Sequence, residues 1–396
     1  MEVYFEKAAE VIKQIELAGF EAYIVGGAVR DSLLNRPVHD IDIATSAYPD
    51  EMMKLFPKTF PTGVEHGTVL VRYEQESFEI TTFRKETGYS DFRRPDHVTF
   101  VRSLDEDLAR RDFTINAMAF TKDKNLIDPF GGKEDLSANI IRTVGSPSER
   151  FQEDGLRMMR AIRFSAQLDF EIESQTLQAI QEYAPLLQQI AIERLADEWT
   201  KIIVAPSMKR AFLYLKQTNI ASYLPVFREN KELWEVFIHQ NVPFANISEW
   251  ISYLQLVYPS ITVAEWVKEW KLSNAIKKDA KRLVSLAEAY SNERMEWIVY
   301  QLPFHLLPAF ISLLKRIGLP IKSNLADCKE TLPIKSRKEL AINGTDLLDL
   351  FPTKKPGPWL EKLLSVIERN VVLGQLENNK NKISEWLKKW DQSEIC

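Results

Sequence analysis

The chain has 396 residues, of which 45% are hydrophobic, so it is long enough for two or three domains with their own cores. Its formal net charge of −5 excludes a surface coated in cations for non-specific nucleic-acid binding but leaves room for a local RNA surface, and its two cysteines, Cys328 and Cys396, form no zinc or disulfide pattern. No apolar run approaches the roughly 18 residues of a membrane-spanning helix, and the first residues lack a signal-peptide pattern, so we expect a cytoplasmic protein without a membrane partner.

Glycine and tryptophan divide the sequence into two parts. The first 155 residues contain ten of the fourteen glycines, whereas Leu156 to Ile317 contains none, and all nine tryptophans lie at Trp199 or later. A glycine-free stretch interrupted by single prolines is typical of successive helices whose ends the prolines mark. We therefore predict an N-terminal part of mixed strands and helices, followed by an all-helical remainder.

A glycine turn follows the first apolar run. Ala22–Val25 is apolar, and Gly26 and Gly27 directly after it allow a tight turn with exposed backbone N–H groups. A helix that includes Arg30 is expected next, so the turn can face a phosphate.

Two aspartates lie on the next predicted strand, Val38–Ala44. Alternate side chains of a strand point the same way, so Asp40 and Asp42 share one face while Ile41 and Ile43 point into the core. Mg²⁺ prefers oxygen ligands and usually meets protein through one or two carboxylates, with water and substrate phosphates in its other positions. With the glycine turn upstream, the pattern predicts a nucleoside triphosphate held across Mg²⁺ ions. The alternative is a chance Asp-x-Asp pair on a solvated strand.

Two further apolar runs predict a hairpin. Val69–Tyr73 and Phe78–Phe83 are rich in β-branched and aromatic residues and flank the polar turn Glu74–Ser77. With the aspartate strand and flanking helices they make a small α+β domain. Glu79 alternates with Ile80 on the second strand, so it either joins the aspartates as a third carboxylate or faces solvent.

The segment Glu153–Phe164 predicts a helix with a charged side. At 3.6 residues per turn, Asp154, Arg157 and Arg160 follow one another on that side, and Arg163 lies nearer the apolar side. Ion pairs on a solvated helix face are the alternative, and each would contribute only a few tenths of a kcal/mol. The triplet spacing of arginines on an otherwise apolar helix favours a functional role.

Four motifs together resemble a known family. They are Gly26-Gly27-Ala28-Val29-Arg30-Asp31, Asp40-Ile41-Asp42, Arg110-Arg111-Asp112 and Glu153-Asp154-Gly155-Leu156-Arg157. In this order they resemble the class II tRNA nucleotidyltransferases, the bacterial and eukaryotic CCA-adding enzymes, which are related to bacterial poly(A) polymerases. Segments near the C-terminus, such as Ile342–Leu348, also resemble these enzymes, so the likeness covers most of the chain.

The resemblance implies a fold and an organisation. The fold class would be α+β, with a polymerase-beta-type nucleotidyltransferase head followed by an all-helical neck, body and tail, in a monomer or homodimer. The implied divisions are a catalytic head over 1–138, a base-recognising neck over 139–200, a helical body over 201–300 and a tRNA-binding tail over 301–396.

The resemblance also implies roles for individual residues. It implies that Asp40 and Asp42 bind the metal ions and that Gly27, Arg30 and Arg111 contact the triphosphate. It implies that Asp112 contacts the ribose and that Asp154 and Arg157 recognise the base. Arg160 and Arg163 would make further contacts with the nucleotide.

The chemistry of the bases fits one pair of these residues. Cytosine and adenine each present an exocyclic amine beside a ring-nitrogen acceptor, which complements a carboxylate acceptor at Asp154 and a guanidinium donor at Arg157. Guanine and uracil present a carbonyl beside an N–H, which would leave buried groups unpaired at about 1–3 kcal/mol each. A protein template of this kind accepts CTP and ATP and rejects GTP and UTP.

Basic residues cluster in the C-terminal third and are candidates for tRNA contacts, although each cluster alone could be a solvated helix face. The clusters are Lys277-Lys278 with Lys281-Arg282, Lys315-Arg316, Lys335 with Arg337-Lys338, and Lys354-Lys355.

Three hypotheses follow, in descending order. The polar segment Lys85–Pro95, with Gly88 as a pivot, resembles the flexible loop of full CCA-adding enzymes, although it could be only a mobile surface loop. The first hypothesis is therefore template-independent addition of C, C and A to tRNA 3′ ends. The second is an A-adding enzyme or a poly(A) polymerase on the same fold. The third is a non-catalytic RNA-binding protein, which would not need paired metal carboxylates. An aminoglycoside-type nucleotidyltransferase would not need the helical tail.

Overall fold

The computed structural model describes residues 2–88, 97–237, 239–321 and 324–389, and the chain forms two units, Met1–Pro243 and Phe244–Cys396. Of the predicted flexible loop Lys85–Pro95, residues 89–95 lie outside the described part of the chain, as does Cys396. The strands on either side of that segment, Arg84–Thr87 and His97–Phe100, pair with each other in antiparallel orientation.

The first unit contains all described strands and eleven of the helices. Its strands are β1 (Ala22–Val25), β2 (Asp42–Thr45), β3 (Thr59–Gly63), β4 (Thr68–Tyr73), β5 (Glu76–Thr82), β6 (Arg84–Thr87), β7 (His97–Phe100), β8 (Ala119–Phe120), β9 (Leu126–Ile127), β10 (Ile140–Ile141) and β11 (Glu171–Ile172). Its helices are α1 (Glu2–Leu17), α2 (Gly27–Leu33), α3 (Pro49–Leu55), α4 (Leu104–Ala109), α5 (Gly132–Ala138), α6 (Pro147–Glu153), α7 (Leu156–Leu168), α8 (Ser174–Tyr183), α9 (Ile192–Ile203), α10 (Met208–Gln217) and α11 (Leu233–Phe237).

Seven strands form one sheet in the order β3-β4-β5-β2-β1-β8-β9. Only β2 and β5 are parallel neighbours in it, and their register places Asp42 beside Glu79. The predicted hairpin is present as β4 and β5, with Tyr73 opposite Glu76, so the turn is shorter than predicted. Apolar side chains such as Phe83 and Leu108, which are fully buried, form a core against this sheet.

The aspartate strand begins later than the predicted Val38. Strand β2 starts at Asp42 because its partner β1 ends at Val25, where Gly26 turns the chain away with a φ of 72°. Asp40 therefore precedes the strand. The predicted alternation still holds, since Ile41 and Ile43 are buried at 1% and 0% exposure while Asp40 and Asp42 are exposed.

The predicted helix over Glu153–Phe164 is two helices. Helix α6 ends at Glu153 and α7 begins at Leu156, so Asp154 lies between them in extended conformation, with a φ of −143° and a ψ of 104°. The Leu156 N–H donates to Asp154 Oδ1 at 3.0 Å, which satisfies an amide that the first turn of a helix leaves free. The prediction that Asp154 lies within the helix was therefore wrong, because the helix is interrupted at this residue.

The second unit is helical throughout its described residues, as predicted. Its helices are α12 (Ile247–Val257), α13 (Val263–Glu269), α14 (Asn274–Ala289), α15 (Met295–Gln301), α16 (Leu307–Arg316), α17 (Leu325–Glu330), α18 (Gly344–Leu350), α19 (Pro358–Val372) and α20 (Lys380–Lys389). Trp250 packs edge-to-face against Trp266 and Trp270 in its core, at ring-centroid distances of 5.0 and 5.9 Å.

No single described helix is both long and apolar enough to cross a bilayer. Met295–Gln301 and Phe304–Arg316 reach that length and composition only as a pair, and the pair is bent by 107°.

Candidate active site

One cleft of about 520 Å³ in the first unit contains every predicted site residue. Seven arginines and five aspartates are among its lining residues, so the lining carries excess positive charge, which suits a polyanion such as a triphosphate. The lining residues are Gly26, Gly27, Arg30, Asp31, Asp40, Asp42, Arg110, Arg111, Asp112, Asn116, Asp154, Leu156, Arg157, Arg160, Arg163, Phe164 and Arg194.

The glycine turn approaches an arginine closely. Gly26 has a φ of 72°, which a side chain rarely allows, and a Cβ there would lie 3.0 Å from Nη1 of Arg111. Helix α2 starts at Gly27, and Arg30 one turn later donates to Asn116 Oδ1 at 2.8 Å and pairs with Asp31. The turn therefore lies beside two guanidinium groups.

The two motif aspartates concentrate negative charge at one end of the cleft. Asp42 keeps contact with solvent, yet the surrounding protein displaces part of the water near its carboxylate. This loss of water and the nearby carboxylates of Asp40 and Glu79 raise the pKa of Asp42 to about 6, against the opposing effect of Arg111. Crowded carboxylates of this kind are the oxygen ligands that a divalent cation prefers.

Glu79 is the register neighbour of Asp42, and its carboxylate is one of the nearby charges that raise the pKa of Asp42. Its side chain is exposed, and among the described residues no group of three His, Cys, Asp or Glu side chains is close enough to hold a metal ion. Both interpretations of Glu79, as a third carboxylate and as a solvent-facing residue, stay predictions.

Arg111 is held by neighbouring elements. Its Nη2 donates to Asp107 Oδ2 at 3.2 Å and its Nη1 donates to the Asn116 carbonyl oxygen at 3.4 Å. Asp107 is buried at 1% exposure and also pairs with Arg110. This acid therefore fixes both arginines of the Arg110-Arg111-Asp112 motif.

Asp112 is buried and accepts hydrogen bonds from three residues. Arg160 Nε donates to its Oδ2 at 2.8 Å, and Asn116 Nδ2 and the Phe113 N–H donate to its Oδ1 at 3.0 and 2.8 Å. Burial by itself would raise the pKa of Asp112, but Arg160 and the hydrogen bond from Asn116 hold it well below the usual range. Asp112 therefore stays an ionised acceptor, and Arg160 lies with it in the cleft.

Asp154 and Arg157 reach the cleft from the break between α6 and α7. Both oxygens of Asp154 accept from Arg194, with Nη1 to Oδ1 at 3.2 Å and Nη2 to Oδ2 at 2.7 Å. Arg157 is 9% exposed, pairs with Glu153 and donates to the Arg110 carbonyl oxygen at 3.2 Å. Each member of the predicted base-reading pair thus has its own partner of opposite charge.

Arg163 lines the cleft, but its guanidinium group is occupied elsewhere. Its Nε donates to buried Glu198 at 2.5 Å and its Nη1 donates to Gln167 at 2.7 Å. The ring of Phe164 lies 4.0 Å from Cζ of Arg163 and 5.0 Å from Cζ of Arg30, so it supports both cations.

Sequence reasoning assigned no role to three residues that hold this site together. Asn116 connects Arg30 with Asp112, and its position four residues after Asp112 in the same segment was an available signal. Arg194 and Glu198 lie one helical turn apart on α9, about forty residues from the groups they bind. No local pattern could identify them.

Family comparisons agree with this geometry. The model described as "Poly A polymerase head domain" matches residues 22–142. The models described as "Probable RNA and SrmB- binding site of polymerase A" and "tRNA nucleotidyltransferase domain 2 putative" match residues 169–230 and 246–387.

Whole-chain comparisons agree as well. The chain is 47% identical over 393 residues to the CCA-adding enzyme of Anoxybacillus flavithermus, covering 98% of this chain and 97% of that one. It is 44% identical over 388 residues to that of Lactobacillus johnsonii, covering 97% of each. The crystal structure of the Bacillus stearothermophilus CCA-adding enzyme in complex with CTP matches with a TM-score of 0.84 at 36% identity, covering 97% of each chain. The predicted polymerase-beta-type head and helical remainder are confirmed, and the chain belongs to the family of CCA-adding enzymes.

Proposed function

We propose that this protein adds C, C and A to the 3′ end of tRNA, using CTP and ATP, without a nucleic-acid template. The observation that carries the proposal is the single cleft that contains a carboxylate pair, a set of arginines and the Asp154–Arg157 pair. In the reaction, the 3′ oxygen of the tRNA forms a bond to the α-phosphorus of the nucleotide. The bond between that phosphorus and the oxygen that it shares with the β-phosphorus breaks, so pyrophosphate leaves. The relatives that match over the whole chain are CCA-adding enzymes, so the alternative activities are not favoured.

Divalent metal ions, which we propose to be Mg²⁺, fit the carboxylate end of the cleft. The donor set there is two carboxylates, Asp40 and Asp42, and the pKa of Asp42 is raised first by loss of surrounding water and then by the negative charges of Asp40 and Glu79. These two residues would hold the metal, and water and substrate phosphates would complete its coordination. The chemistry that Mg²⁺ supplies when bound is activation of the 3′-hydroxyl and stabilisation of the leaving pyrophosphate.

The triphosphate binds to the glycine turn and its arginines in this proposal. Backbone N–H groups at Gly27, with the guanidinium groups of Arg30 and Arg111, supply donors for phosphate oxygens. Arg30 and Arg111 are both tied to Asn116, so they need little rearrangement to act together. Asp112, as an ionised acceptor, is placed to accept from a ribose hydroxyl.

Base selection rests on Asp154 and Arg157. A carboxylate acceptor beside a guanidinium donor matches the amine and ring nitrogen of C and A and mismatches the carbonyl and N–H of U and G. Arg157 is nearly buried, so a mismatched base would place an N–H donor against its guanidinium group where little water can compensate. Arg160 and Arg163 are proposed nucleotide contacts beside this pair.

We also propose the division into head, neck, body and tail, with boundaries at residues 138, 200 and 300, and tRNA binding by the tail. We further propose that the protein is a monomer or homodimer and that it is located in the cytoplasm, where tRNA, CTP and ATP occur.

We expect purified protein with Mg²⁺ to extend tRNA that lacks CCA by three nucleotides and tRNA that ends in CC by one, and to leave tRNA ending in CCA unchanged. The measurement is product length on these tRNAs with each nucleotide alone and combined. Extension by A of only the tRNA that ends in CC would instead identify the A-adding activity, and long A tails would identify the poly(A) activity. RNA binding without extension would identify the non-catalytic alternative.

Ion pairs within the fold reduce the number of basic side chains that are available to contact tRNA. Arg316 is 5% exposed and pairs with fully buried Glu249, and Arg337 pairs with Glu361 and Glu368, so these two arginines are committed within the fold. Lys278, Lys281 and Arg282 on α14 remain exposed. Lys315, Lys335, Lys338 and Lys355 are exposed as well. Because α14 lies in the proposed body, we propose its three exposed cations as tRNA contacts in addition to those of the tail.

Replacing Lys278 and Lys281 together by Ala should weaken tRNA binding and reduce the slope of log Kd against log salt by about two, since each lost phosphate contact removes about one. The measurement is the Kd of tRNA at several salt concentrations. Lys54→Ala, an exposed lysine in the first unit, is the control and should leave the slope unchanged. An unaltered slope in the double variant would move the RNA surface away from α14.

A further inference from the structure

Helix α9 presents two charged residues, one turn apart, to the lining of the cleft. Arg194 contacts both oxygens of Asp154, and Glu198, which is 4% exposed, accepts from Arg163. A bidentate arginine–carboxylate pair fixes the plane of the carboxylate as well as its position. Side chains from one helix thus fix two groups of the proposed nucleotide site.

The chain packs tightly where α9 meets Asp154. A Cβ on Gly155 would lie 3.4 Å from Cβ of Leu186 and 3.5 Å from Cδ1 of Ile190, so the segment before α9 lies directly against the backbone next to Asp154. This contact brings the first turn of α9, with Arg194, beside the carboxylate. The Arg194–Asp154 pair is 22% and 15% exposed, so water screens it only in part.

The two carboxylate oxygens of Asp154 differ in the number of hydrogen bonds that they accept. Oδ1 accepts from Arg194 and from the Leu156 N–H, which uses both of its usual acceptor directions. Among the residues that the structure describes, Oδ2 accepts from Arg194 alone, so it keeps acceptor capacity for a further donor. An exocyclic amine of cytosine or adenine is such a donor.

We propose that Arg194 is a positioning residue that determines base specificity, because it orients Asp154 so that Oδ2 stays available as an acceptor for the exocyclic amine. This inference rests on the proposed role of Asp154 in base selection. Without Arg194, the Asp154 carboxylate can rotate toward other donors in the cleft, such as Arg157, and the acceptor that rejects a carbonyl is lost. Discrimination against UTP and GTP then falls, while triphosphate and tRNA contacts stay.

The test is kcat/KM for CTP, ATP, UTP and GTP on tRNA lacking CCA, for Arg194→Met and Arg194→Lys. Arg194→Met should lower the preference for CTP over UTP by about tenfold or more. Arg194→Lys should fall between it and the original protein, because an ammonium group cannot hold both oxygens. The Kd of tRNA should change less than about twofold.

Two variants provide matched controls. Arg210→Met removes an arginine–aspartate pair of the same unit outside the cleft and should leave nucleotide preference unchanged. Glu198→Gln removes the other charged contact of α9 and should lower all four nucleotides together without changing their ratio. If Arg194→Met unfolds at the assay temperature, the Arg194→Lys ratio decides the test.

Asp154→Ala separates a failure of this inference from a failure of the proposed function. If Asp154→Ala relaxes base choice and adding Arg194→Met to it changes the ratio no further, Arg194 acts through Asp154 as proposed. If Asp154→Ala relaxes base choice but Arg194→Met lowers all four nucleotides equally, Arg194 is a structural residue and this inference is overturned. If Asp154→Ala leaves the ratio unchanged, base selection lies elsewhere and both proposals fail.

Discussion

Replacing Asp42 by Asn is expected to reduce nucleotide transfer by about three orders of magnitude or more, with tRNA affinity within a few-fold of the original. The amide keeps the shape of the side chain but removes a charge that a divalent cation requires. We propose that the affinity for RNA comes from phosphate contacts outside the carboxylate end of the cleft, so it should persist. Single-turnover rates at saturating CTP, together with the Kd of tRNA, measure both effects, and Asp40→Asn should behave in the same way.

Glu79→Gln is the matched control for the two aspartate variants. Glu79 neighbours Asp42 across β2 and β5, so its substitution removes a nearby negative charge without removing a member of the proposed metal pair. A decrease in rate below about tenfold would agree with a solvent-facing role. Transfer near the original rate in Asp40→Asn or Asp42→Asn would contradict the metal-binding assignment, and a loss as severe in Glu79→Gln would support the third-carboxylate interpretation.

The residues that line the cleft could be predicted because each motif carries its own local geometry. Gly26 is needed where the backbone has positive φ, and strand alternation places Asp40 and Asp42 on one side of Ile41. Arg157 and Arg160 share one side of a helix, as their spacing predicts. These are constraints over a few residues, so they can be read without knowledge of the fold.

Element boundaries were less predictable, because they depend on partners distant in the chain. The first residue of β2, Asp42, pairs with Val25, the last residue of β1 before the chain turns away at Gly26. The start of β2 therefore depends on a glycine sixteen residues upstream. Helical periodicity continues in sequence from Glu153 through Arg157, but Asp154 accepts from Leu156 and Arg194 and breaks the helix. In both places tertiary contacts override the local pattern.

Asn116, Arg194 and Glu198 show why residues that hold the motif side chains in place are harder to predict than the motif residues themselves. An isolated asparagine, arginine or glutamate has no distinctive pattern, and α9 reads as an ordinary amphipathic helix. Their importance comes only from the partners that the fold brings within about 3 Å, such as Asp112 and Asp154. The same reason explains why the tRNA-contacting clusters of the second unit stay predictions, since a surface lysine needs a bound partner to show its role.

The Asp154→Asn variant is expected to use UTP better than the Asp154→Ala variant does. The reason is that asparagine gains a hydrogen bond to uracil, whereas alanine only loses the bond to cytosine. Asp154 Oδ1 accepts from both Arg194 and the Leu156 N–H, so the amide oxygen of an asparagine should take that position. Its amide nitrogen would then replace Oδ2, lose the hydrogen bond from Arg194 Nη2 and present a donor to the base. A donor there pairs with the carbonyl of U or G and opposes the amine of C or A.

The measurement is kcat/KM for all four nucleotides with Asp154→Asn, Asp154→Ala and the original protein, on tRNA lacking CCA. We expect UTP relative to CTP to rise by about ten- to a hundredfold in the Asn variant, corresponding to one buried hydrogen bond gained by U and one lost by C. Arg111→Ala is the control, because it should weaken CTP, ATP and UTP together through the triphosphate. Equal loss of all four nucleotides in both Asp154 variants would show that Asp154 only caps α7, since a capping role has no reason to distinguish an amine from a carbonyl.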